Sequence, residues 1–244
     1  MAQDSGSNSN RVYEFDTIIV TAERAKNSLA TSTAAVSVLT AEDIRNLPIS
    51  NLSEALSALP GITFFNRDGL GRDPIANVRG FYGGGEAEYL LVLMDGRQLN
   101  NVETGVVNWN SVPLSSIQSI EFMRGGASSL YGDAAIGGVV NILTKRESTP
   151  TTRFSSYGGT FGALSAQFRN NGSWRGHQYN LFASEERNDG FREHAKQEIE
   201  NVGGAFSLLH TSNGRLSLST AHNWIRFDEP GPLSNIELGM SRTQ

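Results

Sequence analysis

Hydrophobic positions follow two different patterns along the chain, and the change falls near Thr149-Pro150. On the N-terminal side they come in short blocks. Ala35-Val36-Ser37-Val38-Leu39 reads as a short strand, and Thr40-Ala41-Glu42-Asp43 behind it has the character of a capping box opening a helix that stops before Pro48. Asn51 followed by Glu54 opens a second helix, whose Leu52, Ala55, Leu56 and Leu59 share one apolar face and whose end is marked by Pro60-Gly61. That spacing assigns the face to a core. Ile62 to Phe65 leads into a polar loop, Asn66 to Pro74, and Ala76 to Phe81 resumes the extended pattern. Tyr89 to Met94 is a near-continuous apolar run, as a strand buried on both faces requires, and Asp95-Gly96 is a tight-turn signal. Ser119 to Met123 and Val139 to Ile142 are strand-like. A polar turn at Ser128-Ser129 and five glycines from 125 to 138 lie between them, which lets the connecting loop run close against other backbone. These blocks predict a small α/β (α+β) domain over residues 23–148.

Beyond Pro150 alternation takes over. From Arg215 to Trp224, Leu216, Leu218, Thr220, His222 and Trp224 fall on one side and Arg215, Ser217, Ser219, Ala221 and Asn223 on the other. Asn213-Gly214 predicts a hairpin back to Gly204–Leu208, in a register that sets His210 opposite Ser217. A strand walling off lipid from a wet lumen alternates in this way, and so does a soluble sheet with one wet face. At about ten residues per strand plus turns, the part after Pro150 holds about five strands.

The chain has 244 residues and a net charge of −5, which gives no reason to expect a nucleic-acid partner. It has no cysteine, which excludes disulfides and thiolate chemistry. No apolar run approaches the roughly 20 residues of a membrane-spanning helix. Met1 to Ser5 lack the charged and apolar regions of a signal peptide, so any leader is expected to lie outside this sequence. Residues 1–15, rich in Ser, Asn and Asp, are expected to be disordered. The histidines at 177, 194, 210 and 222 lack metal-ligand spacing, Gly83-Gly84-Gly85 is not followed by the Lys-Ser/Thr of a phosphate loop, and no catalytic constellation or cofactor motif stands out. The expectation is therefore no enzyme, no metal and no cofactor.

The densest motif runs from Val112 to Lys145, VPLSSIQSIEFMRGGASSLYGDAAIGGVVNILTK. It resembles the end of the plug domain of TonB-dependent outer-membrane receptors, I-x-x-I-E-x-x-R-G-P-x-S-x-x-Y-G-x-x-A-x-G-G-x-I-N-I-x-T-K, with Gly126 where proline is usual. Val78-Arg79-Gly80 resembles the family's I-R-G, and Leu91-Val92-Leu93-Met94-Asp95-Gly96-Arg97 its V-L-x-D-G. Arg187 to Arg192 is similar to an early extracellular loop. Phe15 to Ala22, FDTIIVTA, resembles the TonB box.

The resemblance implies a plug with a small mixed sheet, followed by antiparallel strands of a transmembrane barrel. Such barrels close roughly 22 strands, so the chain is expected to be an amino-terminal or truncated portion of one, in a Gram-negative outer membrane. It implies that the C-terminal domain of TonB adds a strand along Asp16, Thr17, Ile18, Ile19, Val20, Thr21 and Ala22, a segment with no evident hairpin partner nearby in sequence. Arg79 and Arg124, singled out with Glu121, are implied to anchor plug to barrel, the arginines pairing with wall carboxylates. Loops carrying Asn66, Arg67, Arg72, Phe81, Tyr82, Glu86, Asn100 and Trp109 are the candidates for contact with a scarce ligand. Ferric siderophore stands first as that ligand, with cobalamin, haem and oligosaccharide behind. A soluble periplasmic plug-like module, or a non-functional remnant, is the rival reading.

Overall fold

The computed structural model describes residues 18–19, 27–28, 34–49, 51–65, 74–81, 89–145, 149–211, 214–235 and 239. The first domain is built on a sheet of β3 (Ala35–Thr40), β6 (Leu90–Met94), β7 (Arg97–Gln98), β8 (Ile117–Arg124) and β9 (Gly138–Thr144), in the order β3-β8-β9-β6-β7. It is mixed, because β6 and β9 run parallel while the other pairs are antiparallel. Helices α1 (Ala41–Asn46) and α2 (Leu52–Ser57) cover one face. The capping box forms at Thr40, where the Asp43 carboxylate accepts from the Thr40 N–H at 2.8 Å and the Asp43 N–H donates to the Thr40 hydroxyl at 3.2 Å. Asn51 caps α2 by accepting from the Glu54 N–H.

Leu52, Ala55, Leu56 and Leu59 are all buried, against Leu90, Val92, Ile117, Ile120, Phe122, Val140 and Ile142 of the sheet. Each buried leucine contributes about 1.5–3 kcal/mol of apolar transfer. On the opposite face Leu91, Leu93, Met123 and Val139 form a second cluster with Ala127 and Ala135. Both faces of β6 are therefore dry, which is why its sequence runs apolar without alternation. Gly138 has to be glycine: a Cβ there would stand 2.7 Å from the Met123 carbonyl oxygen and 2.9 Å from Phe122 Cε2. The expected polar turn at 128–129 is a single helical turn, α3 (Ser128–Tyr131), closed by the Tyr131 N–H on the Ala127 carbonyl. Beside the sheet lie two smaller pairs, β4 (Ile62–Phe65) with β5 (Ile75–Val78), and β1 (Ile18–Ile19) with β2 (Asn27–Ser28).

Two expectations need correction. The β-prone segment at 18–19 has a hairpin partner, Ile18 facing Ser28 and Ile19 facing Asn27. Pairing of backbone groups asks nothing of the partner's side chains, so a polar Asn-Ser pair gave no sign of it. The second concerns the hairpin before β14, where Thr211 pairs with Gly214 and His210 lies opposite Arg215 instead of Ser217. The register shifts between Ser207 and Leu209, an irregularity that alternation does not announce.

The second part is an antiparallel meander of five strands, β10 (Thr151–Gly158), β11 (Leu164–Trp174), β12 (His177–Asn188), β13 (Gln197–Thr211) and β14 (Gly214–Phe227). One face turns toward the first domain. The other presents Phe154, Phe168, Leu181, Leu216 and Leu218, each at least 41% exposed. The described sheet stays open, with β10 and β14 at its edges. No described helix is long and apolar enough to cross a membrane, which says nothing about strands.

Candidate functional site

The region where the first domain meets the inner face of the meander is the candidate site. Cross-strand register places three rows on that face: Thr151, Asn171, Asn180, Ala205, Ser219; then Arg153, Arg169, Phe182, Gly203, Ala221; then Ser155, Gln167, Ser184, Asn201, Asn223. Asparagine is a poor strand former, so four of them facing one way call for a reason beyond propensity. Burial supplies it. Asn171, Asn180 and Asn201 are at most 9% exposed, and a buried amide needs partners.

The partners come from the first domain. Asn201 Nδ2 donates to the Asn110 carbonyl at 3.1 Å, and Asn108 Nδ2 donates to Asn223 Oδ1 at 2.7 Å. Asn223 Nδ2 closes that group on Asn201 Oδ1 at 2.6 Å. A second group lies on β11 and β12. Arg169, 3% exposed, donates to the Ser115 carbonyl at 2.7 Å, the Lys145 ammonium reaches the same oxygen at 3.0 Å, and Asn180 Nδ2 donates to the Lys145 carbonyl at 3.1 Å. Sequence reasoning missed these wall residues. Asn171, Asn180, Asn201 and Asn223 fall one to a strand, and only the cross-strand register brings them onto one face.

The residues expected from sequence fall in different places. Of Asp16, Thr17, Ile18, Ile19, Val20, Thr21 and Ala22, only the backbone of Ile18 and Ile19 lies within the described residues. Asn66, Arg67, Arg72, Tyr82 and Glu86 lie outside them. Phe81 is 48% exposed and tilted against Tyr89. Asn100 and Trp109 are corrected: both are 4% exposed and belong to the core. The Asn100 amide binds the backbone of Leu90 and Val92, and Trp109 donates to the Pro74 carbonyl while meeting Phe64 edge-on. A loop position signalled exposure in each case, but here the loop is held down by that very side chain.

Arg79 and Arg124 are brought together over Gly61, where an atom in the Cβ position would stand 3.7 Å from Arg79 Cγ and 3.5 Å from Arg124 Cδ. Arg79 takes φ of 55° and is exposed, while Arg124 is half-buried and its Nε donates to the Ala35 carbonyl at 3.4 Å. Glu121 is apart from both. It is 1% exposed, paired in register with Val38 and Asn141 at the centre of the sheet, so its carboxylate sits inside the first domain and not at its rim.

Residues 28–139 match the family model described as TonB-dependent Receptor Plug Domain. That part of the chain is similar to the plug domain of TonB-dependent receptors. Over 139 residues the chain is 35% identical to the vitamin B12 transporter BtuB of Vibrio cholerae, a match covering 57% of the chain and 22% of that protein. The chain thus spans about a fifth of the length of this relative. Among solved structures it is similar to the siderophore receptor PirA from Pseudomonas aeruginosa, at 28% identity and a TM-score of 0.58 over 77% of the chain and 33% of PirA. The pyoverdine outer membrane receptor FpvA from Pseudomonas aeruginosa shares the fold at 16% identity, with a TM-score of 0.65 over 84% of the chain and 30% of FpvA. These alignments cover more than the plug match. The plug followed by an antiparallel wall is therefore an arrangement shared with receptors of this family.

Proposed function

We propose that the chain supplies the plug and the first five wall strands of a TonB-dependent outer-membrane receptor that takes up a scarce ligand, ferric siderophore by class. The observation carrying this reading is the sidedness of the meander, whose inner face holds the plug through buried amides while its outer face is apolar. A wall between lipid and a filled lumen needs that division. Strand connections suggest an orientation. At one end Trp174 pairs with His177, leaving a two-residue turn, and Thr211 pairs with Gly214, while residues 159–163 and 189–196 form longer loops at the other. Short turns belong to the periplasmic end and longer loops to the outside.

In this reading the chain catalyses nothing. Ligand binds outside, at Phe81 and the loops carrying Asn66, Arg67, Arg72, Tyr82 and Glu86, and the plug shifts. TonB, driven by the inner-membrane proton gradient, pairs with residues 16–22 and pulls. Arg79 and Arg124 anchor the plug to wall carboxylates, their planar forks suited to bidentate contact. The siderophore class is supported by likeness to PirA over 77% of the chain, and cobalamin is kept as a second reading because the 35% identity is to BtuB. The strand at 18–19 gives the test. Ile19→Pro removes a backbone donor and should abolish capture by the TonB C-terminal domain in a pull-down, while Ile19→Val should leave it unchanged. Undiminished capture of the proline variant would withdraw the assignment of this segment.

A further inference from the structure

A cavity of about 740 Å³ lies between α1 and the inner face of β10 and β11, and its two sides differ in chemistry. On the plug side Leu47, Ile49 and Leu114 are half-buried, each packed on the sheet core and lining the cavity with its remaining surface. The wall side is polar and cationic. Arg153 and Arg169 are paired in register there, Lys145 shares the Ser115 carbonyl with Arg169, and Arg45 comes from the last turn of α1. Against these four cations stands one lining carboxylate, Glu54 of α2, which lies within electrostatic reach of Tyr157 and Glu186, themselves bonded at 3.3 Å. The cavity therefore carries an excess of positive charge. Arg169 and Lys145 are buried and hold the Ser115 carbonyl at 2.7 and 3.0 Å, so they chiefly supply positive potential. Arg45 and Arg153 are exposed, and among the described residues neither is held in an ion pair.

We propose that this cavity binds a small organic anion, its carboxylate or sulfonate held by Arg45 and Arg153 and its ring-sized apolar body set against Leu47, Ile49 and Leu114. The volume is that of an ordinary small-molecule site, and a mostly apolar side with a few placed polar groups is how such sites are lined. A guanidinium fork matches a planar or tetrahedral oxyanion with two parallel hydrogen bonds, and the two buried cations behind it add attraction without competing for the ligand. A bare inorganic anion would satisfy the arginines but leave the apolar side facing water, so it binds less tightly. Acyl chains are excluded, because the cavity lies on the inner face of the sheet, opposite the face that presents Phe154 and Leu181. The site is separate from the outer loops assigned to the transported ligand. Its contacts come from plug and wall together, so a bound anion stabilises their joined arrangement by mass action and, on the receptor reading, opposes movement of the plug.

The test titrates the protein, produced from its own gene and purified in detergent, with naphthalene-2-sulfonate and separately with inorganic phosphate, followed by calorimetry against a micelle blank and by thermal melting. Naphthalene-2-sulfonate should bind saturably and raise Tm, and phosphate should bind about tenfold more weakly or less. Arg45→Gln and Arg153→Gln should each weaken naphthalene-2-sulfonate about tenfold, as loss of a charge-assisted hydrogen bond does, while melting at the unsubstituted temperature when no anion is added. Arg187→Gln, on the outer face of β12, should leave binding unchanged. Absence of saturable binding, affinity unchanged in both glutamine variants, or equal affinity for phosphate overturns the site. TonB capture at residues 16–22 tests the receptor reading separately, so the failure of one is distinguished from the failure of the other.

Discussion

Asn100 offers the sharpest check on how the plug is built, because its side chain completes a strand. On the side away from β9, β7 pairs with β6 at Leu93 and Met94, and the Leu99 N–H donates to the Val92 carbonyl at 2.8 Å. Further along that edge Val92 donates its N–H to Asn100 Oδ1 at 2.8 Å, and Leu90 offers its carbonyl to Asn100 Nδ2 at 3.0 Å. The amide thus stands in for the missing backbone of a longer β7, and Leu90 and Val92 are 2% and 0% exposed. Asn100→Ala orphans a buried donor and a buried acceptor. At about 1–3 kcal/mol for each unsatisfied group, and with partial relaxation, the loss should be about 3 kcal/mol. For a domain of this size that is a fall in Tm of about 10 °C. The assay is thermal and guanidinium unfolding of residues 1–148, followed by circular dichroism and by the fluorescence of Trp109, the single tryptophan of that segment. Asn101→Ala is the control, since Asn101 is exposed and only turns the loop by accepting from the Glu103 and Thr104 N–H groups. Equal stability of the two variants would refute the strand-completing role, and loss of ligand binding without loss of stability in Asn100→Ala would return this residue to the ligand surface.

Residues 1–148 should fold alone and melt cooperatively, whereas 151–244, with an apolar outer face and two unpaired edges, should aggregate in water. Size-exclusion chromatography and circular dichroism of the separate halves decide this, and a monomeric, cooperatively melting second half would withdraw the membrane-wall reading. Hydrogen bonds from the Thr40 hydroxyl and backbone N–H hold the Asp43 carboxyl below its ordinary value of 3.8. A depressed folded-state value stabilises above the ordinary pKa and is lost as pH falls through the folded one, so Asp43→Asn should be less stable at neutral pH and converge with the unsubstituted plug in acid. Parallel stability curves down to the acid limit would refute that role.

What the sequence makes legible here is local geometry, and what it conceals is contact across distance. The capping box at Thr40 and the helix face of Leu52, Ala55, Leu56 and Leu59 depend on spacing within a few residues, and they were readable for that reason. The buried strand at 90–94 was readable too, since only burial on both faces tolerates five apolar side chains in a row. Trp109 and Asn100 were misread because a loop is not exposed merely by being a loop: one is drawn in by Phe64 and Pro74, the other by the open edge of β6. Glu121 was named with Arg79 and Arg124 as a residue anchoring plug to barrel, and it lies 1% exposed within the first domain. Its strand register with Asn141 sets it inside the sheet, and the motif carries no information on which way the carboxylate faces.

The wall asparagines show why composition alone points away from the site they build. On the proposed function, a plug that holds and then releases would need contacts strong enough to fix one position and weak enough to be exchanged. A neutral amide meets both demands, because it donates and accepts with fixed geometry while each such bond is worth only about 1 kcal/mol net. Breaking a buried ion pair costs about 3–5 kcal/mol and leaves a stranded charge, whereas an amide freed from Asn110 or Asn108 can rebond to water as the gap opens. Amide contacts are also little affected by ionic strength, which screens exposed charges separated by more than about 10 Å at 0.1 M salt. The Asn223 amide also donates to Asn201 Oδ1 at 2.6 Å, so the two wall amides orient each other across the paired strands.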